Sequence, residues 1–119
     1  MTSSTLSESR WDQAAALQNV GGCLEDLKDL LALSLQQSPP LVAKIATAVQ
    51  RHDADDLYLA AHTLKSSLQL FVMEPSGEIA ASLELAGRTR QWESCPQLLQ
   101  QLQQSLDELT PEIRAFLEA

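Results

Sequence analysis

A chain of 119 residues, 45% of them hydrophobic, is long enough for one domain with a sizeable core. Its 8 Lys and Arg stand against 16 Asp and Glu, a formal net charge of −8. That balance disfavours nucleic acids and anionic membrane surfaces as partners, because both are bound through basic stripes. Aromatic residues make up only 4%, Leu and Ala abound, and 4 Gly and 5 Pro are too few for many turns, so the composition points to an all-α fold.

Residues 1–9 are rich in Ser and Thr and read as a disordered N-terminus, with the helical domain covering 10–119. They contain neither the basic nor the apolar stretch of a secretory signal, and no apolar run approaches the ~18 residues that span a bilayer. The expectation is a cytoplasmic domain. Cys23 and Cys95 lie far apart and lack metal-ligand spacing, so no disulfide framework is expected.

The first element is a short helix from Trp11 to about Asn19, ended by Gly21-Gly22. Leu24, Leu27, Leu31 and Leu35 then recur at spacings of three and four, and Val42, Ile45 and Val49 resume the pattern to residue 51. Between them Pro39-Pro40 removes two backbone donors, which predicts a break or kink. Asp53-Ala54-Asp55-Asp56 is an N-cap region with acids at the positive end of the next helix, predicted to reach about Met73.

Pro75-Ser76-Gly77 predicts a turn, and Ile79, Leu83 and Ala86 mark a helix to about Arg90. Cys95, Leu99, Leu102, Leu106, Leu109, Ile113 and Phe116 alternate spacings of four and three, the stripe of a helix packed at a shallow angle. Pro111 intrudes there, so residues 110–118 are expected to form a separate turn. The sum is an antiparallel up-down four-helix bundle of residues 23–51 (interrupted at the prolines), 54–73, 76–90 and 94–118, with the short N-terminal helix capping one end.

Within the second long helix, Ala61, Leu64, Leu68 and Phe71 form the apolar stripe, while His62, Lys65, Ser66 and Gln69 share a polar face. Residue 62 lies about 200° around the helix from residue 64. The imidazole therefore points to solvent, where its ordinary chemistry makes a neutral nucleophile available near pH 7. Lys65, one turn on, suits compensation of added anionic charge. His52 sits at a helix junction and reads as a boundary residue.

The segment Ala61-His62-Thr63-Leu64-Lys65-Ser66-Ser67 resembles the phosphorylation site of histidine-containing phosphotransfer (HPt) domains, with the pattern Ala-His-x-Leu-Lys-Gly-Ser. Thr63 fills the variable position and Ser66 replaces the glycine. Trp11-Asp12, Gly21-Gly22, the run from Leu24 to Leu35, Ser38-Pro39-Pro40, Leu83-Glu84 and Gly87-Arg88 also look like the family, over roughly residues 10–107.

The resemblance implies a monomeric phosphoryl carrier in a two-component phosphorelay, without autokinase activity or cofactor. His62 would be the phosphorylated residue, assisted by Lys65. The partner would be a response-regulator receiver domain or a hybrid sensor histidine kinase, with the metal and most catalytic groups on the receiver. Tyr58, Ser66, Gln69 and Met73 complete the expected partner-contacting set.

Other chemistries find little support. No Gly-rich phosphate loop is present, and the two histidines lack partners at zinc spacing. Ser66 and Ser67 beside His62 show no legible oxyanion arrangement, and Asp55-Asp56 fit helix capping. Ser66 and Gln69 depart from the family pattern and alter the rim of the site. Two alternatives therefore stand beside a phosphorelay carrier: an HPt-like module that binds its partner without accepting phosphate, and a structural oligomerisation bundle.

Overall fold

The periodic leucines and alanines fold into five helices in the computed structural model, which describes residues 8–119. They are α1 (Gln13–Asn19), α2 (Leu24–Arg51), α3 (Ala54–Leu70), α4 (Ser76–Thr89) and α5 (Cys95–Glu118). Helices α2 to α5 form the bundle and α1 covers part of it, the all-α architecture expected from the sequence. Leu27, Leu31, Ile45, Leu57, Leu64, Leu83 and Leu102 are fully buried at its centre. Among the described residues no helix is long and apolar enough to cross a membrane.

Two expected breaks are absent. Helix α2 runs unbroken through Pro39 and Pro40, and α5 through Pro111. An interior proline removes one helical hydrogen bond and costs about 3 kcal/mol. Here both halves of each helix are anchored in the core: Leu27 and Leu31 before the α2 prolines and Ile45 and Ala48 after, with Leu102 and Leu109 before Pro111 and Ile113 after. Packing on both sides outweighs the lost donors.

The end of α3 also differs from expectation. The helix stops at Leu70, not near Met73, and Val72 takes a positive φ of 54° that turns the chain away. Met73–Glu74 (β2) then pairs antiparallel with Arg10–Trp11 (β1), in register Trp11 with Met73. The Trp11 ring packs edge-on to Phe116 at 5.1 Å, tying this ribbon to α5. The expected disordered stretch 1–9 ends on an ordered residue: Ser9 Oγ lies 2.8 Å from Ser105 Oγ. Residues 1–7 lie outside the described part of the chain.

At the α3–α4 contact, Gly87 brings the two backbones together. A Cβ at residue 87 would lie 2.9 Å from Tyr58 N and 3.1 Å from Ala54 O, closer than backbone atoms tolerate. Gly87→Ala is therefore expected to push the helices apart and lower stability by about 1–3 kcal/mol, the usual range for overpacking. Urea denaturation checks this, and an unchanged midpoint would contradict the close packing.

Candidate functional site

The Asp53 carboxylate accepts a hydrogen bond from Asp56 N at 3.1 Å and so fixes where α3 begins. From that start, Leu57, Ala60, Ala61, Leu64 and Leu68 are buried, which leaves His62 at mid-helix on the outer face. Its side chain is 49% exposed. Helical side chains lean back toward the preceding turn, and the imidazole lies against Tyr58, with ring centroids 5.7 Å apart and planes 17° from parallel.

Across the α3–α4 contact, Glu84 joins the two charged residues of the motif. Its Oε2 is 2.8 Å from His62 Nδ1, and its Oε1 is 2.6 Å from Lys65 Nζ. The Glu84 side chain is only 9% exposed and that of Lys65 is 23% exposed. The Lys65 hydrogen bond holds the Glu84 carboxyl below its ordinary 4.5, His62 adds to the effect, and desolvation opposes it. An ionised carboxylate only accepts hydrogen bonds, so Nδ1 carries a proton and, in the neutral ring, Nε2 keeps its lone pair. The arrangement offers a half-exposed imidazole backed by a buried carboxylate.

The remaining expected residues divide. Ser66 and Gln69 are exposed beside His62 and Tyr58 is half-buried. Ser66 Oγ donates to His62 O at 3.0 Å and Thr63 Oγ to Leu59 O at 2.9 Å, so both hydroxyls turn back onto the helix. Met73 does not belong to this face. It lies beyond the end of α3, in the β1–β2 ribbon, and is 3% exposed, so its side chain packs into the core where a partner does not reach it. His52 caps α2 and stacks on Trp92 at 4.6 Å, closing one helix corner on another, as suits a boundary residue.

The component that sequence reasoning did not single out as functional is Glu84. A signal was present: it is an acid between Leu83 and Ala86 on the inward side of α4, where an unpaired carboxylate is unfavourable and a cationic partner is required. Cys23 and Cys95 are free thiols. Among the described residues no three His, Cys, Asp or Glu side chains gather as a metal site.

Comparison with known proteins places this geometry in context. The family model of the Hpt domain matches residues 29–111. The crystal structure of histidine-containing phosphotransfer protein B (HptB) from Pseudomonas aeruginosa PAO1 superposes with a TM-score of 0.82, over 91% of this chain and 94% of that one. The two are 17% identical, so this likeness speaks to the fold. Comparison with curated proteins gives no match.

The lowered Glu84 pKa has a signed consequence for stability. A carboxylate that ionises more readily when folded stabilises the protein above its unfolded value near 4.5, and that contribution disappears as pH falls through the lowered folded value. Glu84→Gln should therefore be less stable than the parent chain at neutral pH, with the gap closing in acid. Thermal melts from pH 7 to below 4 check this, and a gap independent of pH would contradict it.

Proposed function

This chain belongs to the Hpt domain family, and we propose that it is a phosphorelay carrier. It takes a phosphoryl group from an aspartyl phosphate on a receiver domain and passes it to another receiver aspartate through Nε2 of His62. The observation that carries this reading is the half-exposed imidazole whose Nδ1 is engaged by Glu84 at 2.8 Å. That contact selects the tautomer with a free lone pair on the outward nitrogen.

In the proposed step, the Nε2 lone pair attacks phosphorus as the P–O bond to the donor aspartate breaks. The aspartate leaves as a carboxylate with the bonding pair. The ring, still protonated at Nδ1, becomes cationic, and the Glu84 carboxylate balances that charge in place. Onward transfer reverses these changes against a second receiver. Phosphoryl transfer through a loose transition state needs chiefly alignment and charge compensation, both within reach of a helix-mounted side chain. Lys65, partly exposed, exchanges its contact with Glu84 for the phosphoryl oxygens.

The partner is accordingly a receiver domain, docking over the His62 face with Tyr58, Ser66 and Gln69 at its edge. Incubation with a phosphorylated receiver should place acid-labile label on this chain. His62→Gln should abolish the label while leaving the chain folded, at a stability cost of about 1 kcal/mol for the hydrogen bond lost from Glu84. Label that persists in this variant would overturn the assignment. Receiver binding without label in the parent chain would favour a module that binds without accepting phosphate.

Gln69 lies seven residues from His62, about 10 Å along the helix axis. If its amide crowds the docking receiver, Gln69→Ala should modestly raise the transfer rate at unchanged stability. A slower rate would instead assign the amide a hydrogen bond to partner or phosphate.

A further inference from the structure

We propose that Tyr58 is a positioning residue for His62, its ring face steadying the imidazole as it becomes cationic. The inference rests on His62 as the phosphoryl acceptor and adds a second support to the one Glu84 supplies. Glu84 reaches the ring from α4 and holds it at one atom, Nδ1. A single hydrogen bond leaves the ring free to rotate about that contact. Tyr58 comes from the preceding turn of α3 and lies along the ring face, 5.7 Å between centroids and 17° from parallel. The two supports meet the imidazole from different helices, one at its edge and one across its plane.

The position of Tyr58 is itself constrained. Gly87 lets α4 approach so closely that a Cβ there would be 2.9 Å from Tyr58 N and 3.2 Å from Tyr58 Cα. The backbone that carries the phenol ring and the helix that carries Glu84 are therefore fixed against each other. A cation within about 6 Å of an aromatic centroid is attracted to the ring face. The ring that attacks through its Nε2 lone pair is neutral and becomes positively charged once Nε2 bonds phosphorus, so this attraction grows as the reaction proceeds. An interaction stronger in the transition state than in the ground state accelerates the step. For a partly exposed pair the expected factor is about two- to five-fold.

The partner-free test uses the full chain and potassium phosphoramidate. Nε2 attacks phosphorus, the P–N bond of phosphoramidate breaks, and ammonia leaves, which forms the same phosphohistidine that a receiver would give. Followed by 31P NMR, Tyr58→Leu should load about two- to five-fold more slowly than the parent chain. Tyr58→Phe should restore the rate, because the contact uses the ring face. Tyr58→Met serves in place of the leucine variant if that variant melts early.

With a phosphorylated receiver, Tyr58→Leu should lower kcat, whatever change in KM its place at the edge of the docking face brings. Loading of Tyr58→Leu at the parent rate would overturn the proposal. A raised KM with unchanged kcat would also overturn it, and would limit Tyr58 to its place at the docking edge. A parent chain that loads from phosphoramidate but takes nothing from phosphorylated receivers would sink the carrier function, while the Tyr58 comparison would still be decided by the loading rates.

Discussion

The site depends on how closely α3 and α4 pack at Gly87. Residues 84 and 87 lie on one side of α4, and residues 58 and 62 on one side of α3, so in this antiparallel pair they meet in order. The contact of Gly87 with the Tyr58 and Ala54 backbone sets the spacing at one level. One turn away, that spacing puts the Glu84 carboxylate 2.8 Å from the imidazole. A side chain at residue 87 would open the gap where the hydrogen bond has little length to spare. The chemistry of His62 is thus set by a residue that carries no chemistry.

A buried carboxylate needs partners, and Glu84 has two. Isolated burial of the charge would cost several kcal/mol or drive protonation. Lys65 takes one oxygen and His62 the other, so the lone pairs facing the bundle are engaged. Both partners stand on one helix face, three residues apart. The lysine in the motif therefore has a structural task of its own: it keeps Glu84 ionised, and an ionised Glu84 holds a proton on His62 Nδ1. Mounting all of this on helices with buried inner faces holds the geometry better than loops would.

Much of the bundle was legible because burial imposes a 3.6-residue rhythm on the chain. The stripe of α5 and the cap at Asp53 could be read directly, and the exposure of His62 followed from the burial of Ala61, Leu64 and Leu68. The prolines misled for a physical reason: their local penalty is visible in the sequence, whereas the packing that offsets it joins residues distant along the chain. The β1–β2 ribbon is two residues on each side and leaves no periodic trace. Met73 was placed on the wrong surface because extrapolating the helix ignored Val72, whose positive φ of 54° ends it. The Glu84 contact spans 22 residues and two helices, and no spacing rule within α3 reports it.

The exchange of glycine for Ser66 bears on whether this site can work. A projecting hydroxyl beside His62 would narrow the approach of a partner, but the Ser66 Oγ is turned inward to the His62 carbonyl at 3.0 Å. What stays at the rim is Cβ, a smaller obstacle than the residue name suggests. The charge balance matters more. Before transfer the charges of Glu84 and Lys65 cancel. In the proposed phosphorylated state the ring gains one positive charge and the phosphoryl group brings about two negative ones. The cluster then carries excess negative charge beside a buried carboxylate, and the mobile cation within it is Lys65. The proposed carrier would hold its phosphoryl group in mild electrostatic tension, which would favour handing it on over keeping it.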